Sequence, residues 1–145
     1  MKRTRTLAAL AAAVTFAASC GGEMAAPVLP PPPPPPPNPV GTYNLITVNA
    51  IRLPVQVTID GVTIVITSSV MNIRSGNTYS ANISAHDAIT GGGVTVGATG
   101  TWTQTGNNVT LRGDSGGCSD LAVIEGRQLR IARDCAYGWE MVYQR

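Results

Sequence analysis

The sequence predicts an all-β fold, a small antiparallel barrel of up-and-down strands, and three observations carry this prediction. Residues 40–145 are rich in valine, isoleucine and threonine, which favour strands, and in glycine, which favours turns. Most of their segments alternate apolar and polar residues with a period of two, and none has convincing helical periodicity. Tight turns separate the short strands, and a meander of that kind loses its exposed edges by closing into a barrel. A barrel is therefore favoured over a sandwich.

The clearest element is a hairpin over residues 55–66, VQVTIDGVTIVI. Asp60 and Gly61 form a dipeptide typical of type I′ turns, which need positive φ at both central positions. A two-residue loop pairs Ile59 with Val62 and places the alternate apolar residues of both strands on one face. Turn chemistry and hydrophobic pattern therefore predict the same register.

Further hairpins follow, in which short glycine-containing turns join residues 70–74 to 78–83, 94–104 to 108–112, and 121–124 to 128–133. In the second, a register that pairs Gln104 with Val109 sets Trp102 opposite Leu111, a favourable cross-strand pair. A final strand is predicted to present alternate large side chains on one face: Tyr137, Trp139, Met141 and Tyr143.

The chain has three cysteines: Cys20, Cys118 and Cys135. The last two flank the hairpin of residues 121–133. A four-residue loop sets them directly opposite and pairs Ile124 with Leu129, whereas a three-residue loop shifts them slightly and pairs Val123 with Leu129. In an oxidising compartment we expect them to form a disulfide. Closing a loop of this length stabilises a fold by about 3 kcal/mol in the chain-entropy treatment.

Residues 1–19 are predicted to be a secretory signal peptide. A basic start is followed by an apolar run over residues 7–18 and then by small residues that lead to Cys20. The run is too short to cross a bilayer as a stable anchor. The sequence Ala17-Ala18-Ser19-Cys20 resembles the lipobox of bacterial lipoproteins, and it also fits an ordinary export cleavage site.

The lipobox resemblance implies that Cys20 is acylated and anchors the protein to a membrane. Acylation leaves the other two cysteines free to pair, so no reactive thiol remains. Gly21 follows where aspartate would retain some lipoproteins at the inner membrane. The resemblance therefore implies an outer-membrane lipoprotein of the bacterial envelope, facing the periplasm or the cell surface.

Residues 20–39 are predicted to be a proline-rich linker between this anchor and a barrel domain of residues 40–145. Pro30–Pro37 is unbroken, and proline lacks the N–H that helices and sheets need. Polyproline II rises about 3.1 Å per residue, so residues 27–39 would span about 40 Å. We expect this spacer to hold the domain clear of the lipid headgroups.

The exported part of the chain is nearly neutral. The whole chain has ten Lys and Arg residues and eight Asp and Glu residues, but Lys2, Arg3 and Arg5 belong to the predicted signal peptide. Without them, seven arginines face eight carboxylates, a balance of about −1, and no basic patch is formed. Nucleic-acid binding is therefore disfavoured.

Residues 41–54, GTYNLITVNAIRLP, resemble the first strand of lipocalin-like domains in bacterial lipoproteins, and residues 100–111 resemble the mid-domain hairpin of such barrels. The resemblance implies a non-enzymatic barrel that binds a small apolar ligand or an envelope partner. Candidate ligand-binding residues are the aromatic side chains of Tyr43, Tyr79, Trp102 and Trp139. The alternative is a structural or assembly lipoprotein, because barrels of about eight strands leave little interior space and these side chains would fill it.

A remote alternative is a serine hydrolase. GDSGG, residues 113–117, resembles the nucleophile segment of chymotrypsin-like proteases, with Ser115 as nucleophile and His86 upstream as the only histidine. That family needs two barrels and a complete triad, so we predict that the protein is not an enzyme and that GDSGG is a loop. Asp114 and Asp120 lack the regular spacing of calcium loops, and no metal or cofactor is expected.

Overall fold

The computed structural model describes residues 29–145, in which ten strands form one antiparallel sheet. The predicted signal peptide, Cys20 and the linker up to residue 28 lie outside the described residues. The strands are β1 Gly41–Val48, β2 Ile51–Arg52, β3 Val55–Ile59, β4 Val62–Ile73, β5 Thr78–Asp87, β6 Gly93–Thr105, β7 Asn108–Gly113, β8 Ser119–Glu125, β9 Gln128–Ile131 and β10 Met141–Gln144. No helix occurs between residues 29 and 145, so the predicted all-β class is confirmed.

The sheet closes into an eight-stranded barrel because β1 pairs on both sides. Its first half pairs with the end of β4, with Gly41 opposite Ile73, and its second half pairs with β10, with Leu45 opposite Tyr143. The strands from β4 to β10 are joined as consecutive neighbours. This is the predicted up-and-down barrel. Strands β2 and β3 extend the sheet beside β1 and β4.

The β3–β4 hairpin has the predicted register, with Ile59 opposite Val62. Asp60 and Gly61 have φ angles of 49° and 82°, as a type I′ turn requires. The separate strands predicted at residues 62–66 and 70–74 are instead one strand, β4, with a bulge between Ile66 and Ser68. The bulge moves the inward-facing positions from even to odd residue numbers, and that change of phase is why the sequence pattern looked interrupted.

The other predicted registers are also confirmed. Trp102 lies opposite Leu111 in the β6–β7 pair. In the β8–β9 pair, Ile124 lies opposite Leu129, which is the first of the two registers considered. This pairing ends at Ala122 and Ile131. Beyond it, Cys118 and Cys135 form the expected disulfide with their Cα atoms 5.7 Å apart.

The prediction of a final strand with four large side chains on one face was wrong in its first half. Strand β10 begins only at Met141, and Tyr137 and Trp139 precede it in a loop. The carboxylate of Asp134 accepts backbone N–H bonds from Ala136, Tyr137 and Trp139, which closes a turn and keeps these residues out of the sheet. Met141 and Tyr143 do face the interior, where both are buried.

A single apolar core fills the closed ring. Large side chains on six of the ten strands are fully buried: Tyr43, Val48, Ile66, Val109, Leu111, Ile124, Leu129, Ile131 and Tyr143. Each such aliphatic or aromatic side chain contributes about 1.5–3 kcal/mol relative to an exposed position. Within residues 29–145, no helix has the length and apolar character needed to cross a bilayer.

The chain enters the barrel at one end, which we call the linker end. The compact unit runs from Pro34 to Arg145 and includes the last residues of the predicted linker. The carbonyl of Pro37 accepts a bond from Gln104, and the carbonyl of Pro39 accepts one from the Tyr43 hydroxyl, at 2.7 and 2.8 Å. The turns after β4, β6 and β8 lie at this end, because those strands run toward the level at which β1 begins.

Candidate ligand-binding site

The barrel is filled at the linker end, and two of the four predicted aromatic residues lie there. Tyr43 is fully buried, and its ring packs under the guanidinium of Arg145, 5.6 Å from the ring centroid. Burial raises the pKa of Tyr43, an effect partly opposed by Arg145. Trp102 donates its indole N–H to the carbonyl of Arg74 at 2.9 Å. Both side chains therefore serve the core rather than a cavity.

We call the opposite end of the barrel the open end. There, neighbouring strands extend to different lengths. Strand β6 has 13 residues but β7 has only six, so residues 93–98 of β6 have a strand neighbour only in β5. Together with residues 55–59, 62–66 and 83–87, this part of β6 forms a four-stranded extension that we call the flap. Its inner face is apolar and includes Val94 and Val96, which are 46% and 56% exposed.

A loop of residues 132–140, the cap loop, faces the flap across the open end. Asp134, only 5% exposed, holds the loop together through the three backbone amides described above. The disulfide attaches Cys135 to Cys118, and the Cys135 N–H donates to the carboxylate of Asp120 at 2.7 Å. The loop therefore has a defined conformation although it contains no regular secondary structure.

Two aromatic rings of the cap loop complete the apolar surface. Tyr137 and Trp139 are stacked, with ring centroids 4.7 Å apart and an interplanar angle of 25°. Between them and the inner face of the flap lies a partly open space of about 60 Å³. The flap residues that line this space are Ile59, Ile64, Ile66, Ile83, Ala85, Val94 and Val96.

A larger cavity of about 220 Å³ extends from this space into the barrel. The two share Ile83, Val96 and Tyr137 in their walls. The deeper walls are mainly apolar and come from strands on several sides of the barrel, including Met71, Ala81, Leu111, Ile131 and Met141. The barrel is therefore filled at the linker end and hollow beneath the cap loop.

A few polar groups line this cavity, and one of them is the carboxylate of Asp120. Asp120 lies opposite the buried Leu111 on the β7–β8 pair, so it occupies an inward-facing position. Burial raises the pKa of Asp120, the bond from the Cys135 amide opposes that shift, and the charge of Asp134 adds to it. The cavity thus contains an acid whose ionised form is destabilised by its surroundings.

Two tyrosine hydroxyls accompany this carboxylate. The Tyr143 hydroxyl lies 3.2 Å from Ser69 Oγ and 3.6 Å from the sulfur of Met141. Burial raises the pKa of both Tyr79 and Tyr143, and the negative charge of Asp120 adds to each shift. Both phenols are therefore held in the neutral form, in which a hydroxyl can donate or accept a hydrogen bond.

The position of Tyr79 depends on a close approach at Gly100, its partner across the β5–β6 pair. A Cβ atom at Gly100 would lie 2.7 Å from Cε1 of the Tyr79 ring and would also collide with the carbonyl oxygen of Arg112. The Tyr79 ring therefore packs directly against the backbone of Gly100. Glycine at this position lets the tyrosine reach the cavity wall.

The four predicted aromatic candidates thus separate into two pairs. Tyr79 and Trp139 line the cavities of the open end, whereas Tyr43 and Trp102 fill the linker end. Sequence reasoning missed Asp120 as a site residue. A signal for it exists, because in the strand sequence DLAVI the aspartate alternates in phase with Ala122 and Ile124, which are buried.

The residues considered for hydrolase chemistry are not brought together. His86 lies opposite Gly93 at the open-end tip of β6. Ser115 follows Asp114, whose amide bonds to the carbonyl of Thr99. Thr99 and Gly93 are six residues apart on one strand, a distance of about 20 Å at the usual rise.

Among residues 29–145, no three potential metal-ligating side chains come together. Comparison of the chain with protein-family models, with curated proteins and with solved structures finds no match.

Proposed function

We propose that this protein is an exported, lipid-anchored envelope protein whose barrel binds a small apolar ligand beneath the cap loop. The observation that carries this proposal is the cavity between the flap and the cap loop, with apolar walls and a few convergent polar groups. That combination is the usual composition of a small-molecule site. The lipocalin resemblance noted in the sequence points to the same class of function.

The size of the cavity limits the ligand. An apolar cavity of about 150 Å³ in another protein takes up benzene, and the deeper cavity has about 220 Å³. A molecule with one aromatic ring and a short substituent fits that space. Larger ligands would have to displace Tyr137 or extend between the flap and the cap loop, where Val94 and Val96 are already half exposed.

One observation supports the cellular location in this proposal. The Cys118–Cys135 disulfide is a bond that persists in oxidising compartments. The described end of the linker bonds to the barrel at the end opposite the cavity, so these linker residues do not cover the site.

The ligand-binding proposal is tested by filling the cavity. Val96 faces the cavity and its neighbour Thr95 faces outward, so Val96→Trp and Thr95→Trp are a matched pair. We expect isothermal titration calorimetry to show binding of benzyl alcohol to the wild type and to Thr95→Trp, and at least a ten-fold loss in Val96→Trp. Equal affinities in both variants would contradict the proposed site.

The anchor is tested separately by mass spectrometry of the mature N-terminus. We expect an N-terminal Cys20 that carries acyl chains, and loss of membrane association in Cys20→Ala. An unmodified N-terminal residue would contradict lipid anchoring and would leave the ligand site untouched.

A second candidate function, a structural or assembly module, is favoured by one observation. Residues 93–98 of β6 present an edge with neither charge nor proline, and edges of that kind accept strands from partner proteins. Under this alternative, an envelope partner would bind that edge. Thr95 faces outward on this edge, so Thr95→Lys would then abolish the interaction with that partner and leave the affinity for benzyl alcohol unchanged.

A further inference from the structure

We infer that the ligand of this cavity carries a positive charge, as a protonated amine on a compact apolar body, and that Asp120 binds the ammonium group. This inference rests on the proposed ligand-binding function and specifies the chemical class of the ligand. The argument depends on three features: the position of the carboxylate, the balance of charge in the cavity, and the arrangement of the walls.

The position of Asp120 is set by the sheet. Its β-strand partner Leu111 is 1% exposed, and the next residues on the same face, Ala122 and Ile124, are buried. Among residues 29–145, only one Asp120 carboxylate oxygen has a hydrogen-bond partner, because Oδ1 accepts the Cys135 N–H. An ionised carboxylate has acceptor sites on both oxygens, so Asp120, which lines the cavity, retains acceptor capacity.

The charge of Asp120 is not balanced by any residue in the cavity wall. The described lining residues include two carboxylates, Asp120 and Asp134, and no arginine or histidine. The Asp134 oxygens are occupied by three backbone amides of the cap loop. Asp120 is therefore the carboxylate that remains available to a ligand.

No arginine among residues 29–145 forms an ion pair with Asp120. In the cap loop, the Arg133 guanidinium lies beside Gly138. Arg130 is paired with Glu140 at 2.9 Å, and Arg127 Nε donates to the carbonyl of Arg145 at the linker end, away from the cavity. A ligand ammonium can supply both the missing charge and the missing donors, and a charge-assisted bond is stronger than a neutral one.

The walls suit the remainder of such a ligand. From Asp120 the cavity leads past Ile83 and Val96 to the stacked rings of Tyr137 and Trp139. An aromatic or short aliphatic body would contact these side chains while its ammonium stays at the carboxylate. Anionic ligands such as fatty acids are disfavoured, because their carboxylate would meet Asp120 and Asp134 without an intervening cation.

The test compares three probes of similar size: benzylamine, benzyl alcohol and benzoate. We expect calorimetry to give wild-type affinities in that order, with benzylamine at least ten-fold tighter than benzyl alcohol. Asp120→Asn preserves an oxygen acceptor for the Cys135 amide and removes the charge. In this variant benzylamine should fall to the affinity of benzyl alcohol, while benzyl alcohol itself is unchanged.

The matched control is Asp114→Asn, which removes a carboxylate from an exposed loop where it accepts a bond from Thr99. It should leave all three affinities unchanged, and thermal unfolding should show that both variants are folded. Equal binding of benzylamine and benzyl alcohol, or no effect of Asp120→Asn, would overturn the cationic-ligand inference alone. Failure of all three probes to bind the wild type would overturn the ligand-binding function as well.

Discussion

Individual side chains in this barrel have distinct tasks that their residue type alone does not reveal. Two aspartates line the same cavity, yet Asp134 organises the cap loop through backbone amides, whereas Asp120 accepts a single backbone N–H bond, from Cys135. The two tryptophans differ in the same way. Trp102 bonds to the carbonyl of Arg74 in the core, and Trp139 forms part of the cavity wall.

The raised pKa of Asp120 predicts a pH-dependent contribution to stability. The folded protein holds this proton more tightly than the unfolded chain, whose aspartate has the ordinary value of 3.8. Between 3.8 and the higher folded pKa, the free energy of unfolding therefore falls as pH rises. Ionised Asp120 costs stability at neutral pH, and acidification through this window removes the cost.

The variant Asp120→Asn should therefore gain stability relative to the wild type at neutral pH, and the gain should shrink as the pH approaches 3.8. Urea denaturation at a series of pH values measures this difference. Backbone hydrogen bonds from Thr90 and Ile89 lower the pKa of Asp87, so its contribution to stability has the opposite pH dependence. Because Asp87 is present in both proteins, that contribution cancels in the difference. A difference that does not vary with pH would contradict the assignment.

The close approach at Gly100 makes a second prediction. Gly100→Ala forces the Tyr79 ring or the backbone at Arg112 to move, and overpacking of this kind costs about 1–3 kcal/mol. Gly93→Ala is the matched control, because it lies on the same strand and a Cβ there has nothing within 4 Å. Chemical denaturation should give a clear loss for the first variant and little change for the second. Equal effects would show that the close approach at Gly100 is not the cause.

At the scale of elements, the hairpins could be predicted from the sequence but the cap loop could not. Turn dipeptides and alternation are local signals, and they gave the registers of Ile59 with Val62 and of Trp102 with Leu111. The cap loop depends on Asp134 reaching amides up to five residues ahead. In sequence, the alternating Tyr137, Trp139, Met141 and Tyr143 look like one strand, because the pattern contains no sign of that turn.

The cavity also could not be predicted from local sequence patterns. It exists because β6 continues past the end of β7, and the lengths of two neighbouring strands matter only once their register is known. Only two of the four predicted aromatic candidates line the cavity. Tyr79 and Trp139 lie at the cavity, but the choice between lining and filling depends on which end of the barrel each strand position reaches.

The disulfide makes a prediction at this scale, since it fixes the cap loop to the start of β8. The two cysteines are 17 residues apart, and closing a loop of that length stabilises by about 3 kcal/mol in the chain-entropy treatment. The double variant Cys118→Ser/Cys135→Ser should lose about this much in chemical denaturation, and reduction of the wild type should give the same loss. A variant as stable as the oxidised wild type would contradict a structural role for the bond.

At the scale of the whole barrel, the two ends differ in their packing. One end of the barrel receives the linker and is filled by Tyr43, Trp102 and their neighbours, which ties the chain to a rigid core. The other end contains the flap, the cap loop and the cavity.

The central claim, that a small ligand occupies the space beneath the cap loop, is tested most directly by methyl NMR of the wild type with benzylamine. The account predicts concentration-dependent shifts at Ile83, Val94 and Val96, which line the cavity. Val109 and Leu129, buried elsewhere in the barrel wall, should remain unchanged. Shifts confined to the linker end, or none at saturating amine, would contradict it.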